Sequence, residues 1–381
     1  MSLVANWSYP TTIRFGAGRV SELTDACAQL NIKNPLFVTD AGLASLPITT
    51  GALAILAAGG YGNALFSEVF PNPDENSLAA GLKRYADGNH DGVVAFGGGS
   101  AVDLAKLIAF MQGQTRSVWD YEDVGDWWTR ANPDTIAPII AVPTTSGTGS
   151  EVGRASVLTN SVTHVKKIIF HPKILPSIVI CDPELAVGMP PVITAGTGLD
   201  AFIHSFEAFC SPFYHPMSQG IALEGMRLVK DNLLKAYKDG SDIDARGHMM
   251  SAAAMGATAF QKGLGAVHAL SHPVGAVYNT PHGMTNAIAL PAVVRFNRPA
   301  IEDRVCLLAA YLGIEGGFDG FYDWLIGFSR ALNVPEKLSA LGVDRLQIDL
   351  LAQMAVEDPS AGGNPITLTP EITKKLYEEI I

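Results

Sequence analysis

Hydrophobic residues form short unbroken runs in the first half of the chain and longer, helically spaced groups in the second half. Four apolar runs predict buried strands, and each ends in residues typical of turns: PLFVTD (35–40), GVVAFGGG (92–99), APIIAVPTT (137–145) and SIVICDPEL (177–185). Helical spacing separates them, as in residues 20–30 and 101–111. Buried strands that alternate with helices predict a mostly parallel sheet covered on both faces.

The pattern changes near residue 190, after which helical spacing dominates. Pro190 and Pro191 break the chain at this point. The predicted helices beyond it are residues 194–210, 216–237, 246–261, 300–312 and 347–357. The sequence therefore predicts two domains. An α/β nucleotide-binding domain covers residues 1–185, and an all-α domain, which holds the metal-binding candidates described below, covers residues 186–381.

Composition narrows the classes of function. The chain has 381 residues, and 26 Lys and Arg against 37 Asp and Glu give it a net charge of −11. This acidic balance argues against nucleic acid or an anionic membrane as a partner. Four well-separated cysteines and an N-terminus without a signal-peptide pattern predict a cytoplasmic protein. No apolar run has the length of a membrane-spanning helix.

Five titratable side chains in the helical half have the spacing of metal ligands. In TGLDAFIHSFEAF, Asp200 and His204 are four residues apart, so they share one face of a predicted helix. His268 and His272 repeat this spacing in AVHALSHPVGAVYNTPHG, and His282 follows across a predicted turn. A single pair of this kind has an ordinary structural alternative, which is a satisfied histidine in an apolar core.

Two such pairs and a further histidine together favour a metal site, because burying so many titratable groups without an ion costs several kcal/mol. One carboxylate oxygen and three imidazole nitrogens suit Fe²⁺ or Zn²⁺, whereas Ca²⁺ and Mg²⁺ prefer oxygen ligands. The spacing does not choose between iron and zinc. Four ligands among five candidates leave one histidine for proton transfer.

Two glycine-rich loops are predicted to bind the phosphates of a dinucleotide. GGGS (97–100) lies between a strand and a helix, where backbone N–H groups and the helix dipole favour a pyrophosphate. TTSGTGS (144–150) follows the next strand, and ligands of parallel sheets bind at the carboxyl ends of strands. The candidate residues are Gly97, Gly98, Gly99, Ser100, Thr144, Thr145 and Thr148. FGAGRVS (15–21) is rejected, because Ser21 stands at its third glycine position and the stretch before it is polar.

Asp40 is the candidate that selects the cofactor. It ends the apolar strand LFVTD, where a carboxylate accepts hydrogen bonds from both ribose hydroxyls of NAD. The same carboxylate repels the 2′-phosphate of NADP, so Asp40 favours NAD. The alternative is that Asp40 is only the N-cap of a helix over residues 41–46.

Read in order, the motifs resemble those of the iron-containing (group III) alcohol dehydrogenases, which have the dehydroquinate synthase-like fold. The motifs are GGGSAVDLAK, PTTSGTGSEV, TGLDAFIHSFEAF and GAVHALSHPVGAVYNTPHG, within residues 10 to about 290. The resemblance implies that the metal ligands are Asp200, His204, His268 and His282, and that the unligated histidine near the nicotinamide is His272. It also implies that Asp103, Asn72 and Lys166 contact the dinucleotide.

The resemblance implies an NAD-linked dehydrogenase that transfers a hydride reversibly between a small primary alcohol and NAD⁺, with Fe²⁺ or another divalent ion such as Zn²⁺. An alcohol or aldehyde is then the small-molecule partner, and a homodimer or larger homo-oligomer is expected.

The alternatives are a lyase of the dehydroquinate synthase type and polyol oxidation of the glycerol dehydrogenase type. The lyase needs several basic residues near the metal, and only Lys262 lies close to the histidines in sequence. Lys262 either holds an anionic substrate group or is a solvated lysine at a helix end.

Overall fold

The computed structural model describes residues 10–163 and 165–381. The described residues divide into two compact units. We call them the sheet unit, with residues 10–145 and 149–188, and the helical unit, with residues 146–148 and 189–381. The chain passes from the sheet unit to the helical unit after Gly188, three residues beyond the predicted domain boundary, and residues 146–148 of the TTSGTGS loop belong to the helical unit.

The sheet unit is built on a parallel sheet. Its strands are β1 (Thr12–Phe15), β2 (Pro35–Val38), β3 (Leu65–Phe66), β4 (Gly92–Gly97), β5 (Ile139–Pro143), β6 (Ala155–Thr159), β7 (Lys166–Phe170) and β8 (Ile178–Cys181). Six of them form one sheet in the order β1-β8-β5-β4-β2-β3, in which every neighbouring pair is parallel. The four predicted strands are β2, β4, β5 and β8, and all four are buried along their whole length.

The helices of the sheet unit are α1 (Leu23–Gln29), α2 (Pro47–Ala58), α3 (Glu75–Asp87) and α4 (Gly99–Met111). The sequence pattern missed β1 and β3, and it missed the antiparallel pair β6–β7. β3 has only two residues, and most of β1 is exposed, so neither gives an unbroken buried run. The predicted fold class, a mostly parallel α/β domain followed by an all-α domain, is confirmed.

The rejected loop, residues 15–21, holds a carboxylate of the chain itself. The N–H groups of Gly18 and Val20 donate to the two oxygens of Asp182, at 3.1 Å and 2.9 Å. Asp182 also caps the turn that follows β8 by accepting from the N–H of Glu184. The donors of a glycine-rich loop therefore have an acceptor within the sheet unit.

The helices of the helical unit are, in chain order, α5 (Pro191–Cys210), α6 (Pro216–Lys238), α7 (Ile243–Ala259), α8 (Ala266–Tyr278), α9 (His282–Tyr311), α10 (Gly317–Ala331), α11 (Ile348–Glu357) and α12 (Pro370–Ile380). α5 lies at the centre, because it packs against α6, α7 and α9 and is buried almost throughout from Thr194 onward. A helix that is apolar on all sides is expected in such a position. In the described part of the chain, no helix is both long and apolar enough to cross a membrane.

A fully buried lysine ties α4 to the chain that follows β5. Lys106 Nζ donates to the carbonyl and the hydroxyl of Ser150, at 3.0 Å and 3.1 Å, and to the carbonyl of Ala155. Asp103, one turn earlier on α4, accepts from the Ser150 hydroxyl and from the N–H of Val157. Burial lowers the pKa of Lys106 to about 8, and burial raises the pKa of Asp103.

We expect Lys106→Met to destabilise the sheet unit by about 3 kcal/mol, because it leaves buried acceptors without a donor and a buried carboxylate without its nearby cation. For a unit of this size the melting temperature should fall by about 6–12 °C, measured by circular dichroism. Lys83→Met is the control, since Lys83 is exposed and pairs only with Asp87 at the surface. It should change stability by less than about 0.5 kcal/mol. Equal shifts in the two variants would contradict this prediction.

Candidate metal centre and dinucleotide loops

Three helices bring the predicted metal ligands together. α5 carries Asp200 and His204 on one face, because four residues make about one turn. α8 carries His268, and it ends at Asn279, whose left-handed backbone (φ 53°) reverses the chain. His282 is the first residue of α9, so it lies at the start of a new helix and not in the loop.

The donor atoms of these four residues converge on one carboxylate oxygen. Asp200 Oδ1 lies 3.8 Å from His204 Nε2 and 3.6 Å from His268 Nε2. The Nε2 of His282 is also 3.6 Å from it. Donors bound to one tetrahedral ion at about 2.0–2.2 Å lie about 3.4 Å apart. The donor atoms of Asp200, His204 and His268 lie within 4.8 Å of one another, so these three residues fit a divalent transition-metal ion, and His282 reaches the same carboxylate oxygen as the fourth candidate ligand.

A close helix crossing gives α9 its position beside α5. A side-chain carbon at residue 283 would overlap the carbonyl oxygen of Gly196, so the two backbones can approach only because residue 283 is glycine. Gly196 lies one turn before Asp200 on α5, and Gly283 directly follows His282. The predicted ligand His282 is thus followed directly by the residue that lets its helix approach α5.

Further polar side chains, which the sequence analysis did not single out, surround the cluster. Glu207 accepts from His268 Nδ1 at 2.6 Å, which directs the Nε2 of that ring towards Asp200. Asn286 is fully buried, and its Nδ2 donates to Asp200 Oδ1 at 2.8 Å. Glu207 lies three residues after His204 on the same helix, so its local spacing was a usable signal. For Asn286, an ordinary residue on a predicted helix, the sequence held no comparable signal.

His272, the candidate for proton transfer, lies beside the four donors and has a carboxylate partner. Its ring stacks on that of His282, with 5.5 Å between the ring centres. Its Nδ1 donates to Asp358 Oδ2 at 2.8 Å. Asp358 belongs to the last part of the chain, where the family motifs gave no guidance. Burial by itself raises the pKa of Asp358, but His272 and the hydrogen bonds from Ser360 together outweigh burial and lower this pKa overall.

Burial and the neighbouring carboxylates set the charges of the cluster. Burial by itself raises the pKa of Asp200, but His204, His282 and His268 together outweigh burial and hold the pKa well below its usual range. Burial lowers the pKa of His204 to about 4. Burial also disfavours the charged form of His268, yet Glu207 and Asp200 together raise its pKa to about 10. An ionised carboxylate and a neutral His204 are the forms that bind a metal ion, whereas His268 has to release a proton when it binds one.

Lys262 is buried, so the interpretation as a solvated lysine was wrong. It is 2% exposed, and its Nζ donates to the carbonyl of Phe209 at 3.1 Å, near the end of α5. The guanidinium of Arg304 donates to the same carbonyl at 2.7 Å. Burial lowers the pKa of Lys262 to about 7. The side chains of Lys262 and Arg304 thus both donate to a carbonyl at the C-terminal end of α5.

In the sheet unit, the first residues of the two candidate phosphate loops lie side by side. They follow β4 and β5, which are neighbours in the sheet, and the N–H of Thr144 donates to the carbonyl of Gly97 at 3.0 Å. Gly97 has φ 144°, which favours glycine, and Gly98 is the N-cap of α4 with Thr145 beside it. α4 begins at Gly99, two residues earlier than predicted, so Ser100 lies in the first turn of this helix. The first N–H groups of α4, which have no acceptor within the helix, lie at the end next to the loop. Thr148 belongs to the helical unit.

Asp40 lies at the end of β2, the other neighbour of β4. Its Oδ1 accepts from the N–H of Leu43 at 3.0 Å and stabilises a turn, and the predicted helix over residues 41–46 is absent. A side-chain carbon at Gly97 would lie 3.5 Å from Oδ2, so this second oxygen faces the phosphate loop. Asp40 therefore makes the capping contact with one oxygen, while its other oxygen lies next to the phosphate loop.

The remaining candidates occupy the same unit. Asn72 has a left-handed backbone (φ 55°) in the loop that follows β3. Lys166 and Lys167 lie on opposite faces of β7, since neighbouring side chains alternate along a strand. Lys167 pairs with Glu122 at 2.9 Å, whereas the charge of Lys166 acts on Asp103.

Comparison with known proteins agrees with this geometry. Residues 10–183 match the family model described as iron-containing alcohol dehydrogenase, and residues 194–381 match the model for the C-terminal part of that family. The chain belongs to the iron-containing alcohol dehydrogenase family. Membership confirms the predictions of an oxidoreductase and of a metal-dependent alcohol dehydrogenase, and the family implies both a divalent metal and NAD.

Individual relatives match over their full length. A 4-hydroxybutyrate dehydrogenase of Cupriavidus necator is 37% identical to the chain, over 97% of this chain and 98% of that protein. The crystal structure of a 1,3-propanediol oxidoreductase superposes with a TM-score of 0.94 at 33% identity, covering 99% of this chain and 100% of that one. A sulfoacetaldehyde reductase of Bifidobacterium kashiwanohense in complex with NAD⁺ gives a TM-score of 0.89 at 30% identity, covering 100% and 99%.

We expect Gly283→Ala to weaken metal binding at least about tenfold, because the added methyl group pushes α9 and His282 away from α5. The metal content after dialysis against a defined Zn²⁺ buffer, measured by mass spectrometry, tests this. Gly220→Ala on α6 is the control, since a side-chain carbon there meets no atom within 4 Å. It should leave metal affinity unchanged and raise helix stability slightly. Normal metal content in Gly283→Ala would show that the crossing does not position His282.

Proposed function

We propose that the chain oxidises small primary alcohols to aldehydes, reversibly, with NAD⁺ and a divalent metal ion held by Asp200, His204, His268 and His282. The observation that carries this proposal is the convergence of three Nε2 atoms within 3.6–3.8 Å of Asp200 Oδ1 in a buried site. A purely structural ion site is the competing interpretation, and it predicts metal binding without NADH turnover.

A bound divalent ion would supply Lewis-acid stabilisation of the alcohol oxygen, and bound NAD⁺ would supply the acceptor for the hydride. The chain supplies the arrangement around them. Glu207 holds the ring of His268, and Asn286 holds the carboxylate of Asp200, so the donors keep their geometry without reorganisation. Apolar side chains of the surrounding helices exclude water from three of the four donors, which are almost fully buried.

His272 is the proposed proton carrier. Its Nδ1 is bonded to Asp358, so its Nε2 is the nitrogen that can accept a proton. The stack on His282 keeps the ring next to the donors. A general base placed in this way contributes typically 10²–10⁴-fold to the rate.

For the cofactor, the proposed contacts are the N–H groups at the start of α4 for the pyrophosphate and the carboxylate of Asp40 for the adenosine ribose. The other proposed contacts are Asn72, Gly97, Gly98, Gly99, Ser100, Asp103, Thr144, Thr145, Thr148 and Lys166. We favour Fe²⁺, by family, although the donor set suits Zn²⁺ equally well.

The cytoplasmic location and the homo-oligomer stay predictions. The named activities of relatives, on 4-hydroxybutyrate and 1,3-propanediol, define the first alcohols to test.

Metal removal and reconstitution test the proposed reaction. Protein stripped of metal should lose NADH-linked turnover of these alcohols and regain it with Fe²⁺ or Zn²⁺ under anaerobic conditions, because the alcohol oxygen needs a Lewis acid. His282→Ala should bind the metal at least about tenfold more weakly and regain little activity. His248→Ala, an exposed histidine on α7, should behave like the unmodified protein. If His282→Ala keeps its full metal content, the proposed ligand set is wrong.

His272→Ala separates the proton carrier from the ligands. It should retain its metal content, because His272 is not among the four donors, while kcat falls by about 10²-fold or more. Anaerobic turnover and metal content are measured on the same preparation. Parallel loss of metal in this variant would mean that His272 is itself a ligand.

Asp40→Gly tests cofactor selection. The kcat/KM ratio of NADP⁺ to NAD⁺ should rise at least about tenfold, since the variant removes both an acceptor for the ribose hydroxyls and the repulsion of a 2′-phosphate. Asp242→Gly is the control, because Asp242 caps α7 by accepting from the N–H of Ala245 and lies in the helical unit. It should lower the melting temperature and leave the ratio unchanged. If Asp40→Gly also lowers the melting temperature and leaves the NADP⁺ to NAD⁺ ratio unchanged, Asp40 acts only as a capping residue.

A further inference from the structure

Helix α8, which carries two of the clustered histidines, has no capping side chain of its own. Its N-cap residue is Gly265, although the first N–H groups of a helix need acceptors. Two side chains from distant parts of the sequence provide them. Asn364 Oδ1 accepts from the N–H of Ala266 at 3.1 Å, and Glu207 Oε1 accepts from the N–H of Val267 at 2.6 Å.

Asn364 is fixed by a reciprocal pair of amides. Asn364 Nδ2 donates to Asn297 Oδ1 at 2.9 Å, and Asn297 Nδ2 donates back to Asn364 Oδ1 at 2.8 Å. Its Nδ2 also donates to the carbonyl of Ile366 at 2.7 Å. Both amides are buried, with 7% of Asn364 and 4% of Asn297 exposed. Because each polar atom of the Asn364 side chain has a buried partner, another rotamer would leave several groups unpaired.

The cap is linked to a proposed metal ligand through Glu207. One oxygen of this carboxylate holds the first turn of α8, and the other accepts from His268 Nδ1 at 2.6 Å. A shift of the first turn therefore changes the position of the backbone that carries His268 and the hydrogen bond that orients its ring. Loss of a partner that orients a metal ligand typically lowers metal affinity or activity by about 10–100-fold.

The same C-terminal segment contacts α8 at other points. Asp358 accepts from His272 Nδ1 at 2.8 Å, and the hydroxyl of Tyr377 donates to the carbonyl of Leu270 at 2.7 Å. Residues 358–377 thus hold α8 at its first turn, at its middle and at the proposed proton carrier. These contacts come from a part of the chain that lacks the metal-site motifs.

We propose that Asn364 is a positioning residue of the metal centre, which acts through the first turn of α8 to keep His268 in the geometry of a ligand. This inference rests on the proposed ligand set. Asn364 makes no contact with the metal donors themselves, so its effect is expected on metal affinity and not on the chemistry of the loaded enzyme.

The test compares the Zn²⁺ affinity of the unmodified full-length protein with that of Asn364→Ala, by competition with a fluorescent chelator. We expect the variant to bind Zn²⁺ at least about tenfold more weakly. Asn297→Ala should weaken binding less, because Ala266 keeps its acceptor while Asn364 loses one support. The double variant should be weaker by less than the product of the two single factors, since both changes act through one amide pair. Unchanged Zn²⁺ affinity in Asn364→Ala overturns the proposal.

Asn232→Ala is the matched control. Asn232 is also 7% exposed, and its Nδ2 donates to the carbonyl of Leu228 within α6. It should lower the melting temperature without changing Zn²⁺ affinity. An equal loss of affinity in Asn232→Ala and Asn364→Ala would show a general effect of destabilisation and overturn the proposal. If Asn364→Ala does not fold, Asn297→Ala takes its place in the test. Unchanged Zn²⁺ affinity in Asn297→Ala then overturns the proposal.

His268→Ala separates failure of this inference from failure of the proposed function. If His268→Ala loses Zn²⁺ and Asn364→Ala retains it, the ligand set stands and the positioning role is wrong. If His268→Ala binds Zn²⁺ with the affinity of the unmodified protein, the ligand set itself is wrong, and the positioning role fails with it.

Discussion

The ionised carboxylate of Asp200, buried inside an apolar bundle, is the constraint on which the helical unit depends. A charge in such a place is tolerated only when partners replace the water that it has lost. Three imidazole rings and the amide of Asn286 provide these partners, and they come from α5, α8 and α9. The central position of α5 and the glycine crossing with α9 follow from the need to bring these groups to one point.

The two units bind their proposed ligands by different means. In the sheet unit the proposed binding groups are mainly backbone N–H groups at the ends of strands, so glycines and small hydroxyl residues suffice there. In the helical unit the binding groups are side chains, and each needs a neighbour to fix its orientation. The supporting residues Glu207, Asn286 and Asp358 are therefore as much a part of the helical site as the donors.

The sequence predicted those features that depend on local spacing. The buried runs of β2, β4, β5 and β8 and the four-residue spacing of Asp200 and His204 are local patterns, and the structure contains them. α9 was not predicted at its full length, because Pro291 and Pro299 lie within it and prolines usually end helices. α8 was likewise not predicted as a separate helix, although His268 and His272 were expected on one face.

The contacts missed by the sequence analysis are those that cross long distances along the chain. Asp358 and Asn364 flank the two ends of the 3-10 turn Pro359–Gly363, and nothing near them in sequence indicates α8 as their partner. The same limit applies to Asp182, whose carboxylate accepts from the N–H groups of the loop at residues 16–20. A free nucleotide at that loop would have to compete with an anion that is covalently part of the same chain and is always present at high local concentration. A glycine-rich turn can thus have the geometry of an anion site while a carboxylate of the same chain already accepts from its N–H groups.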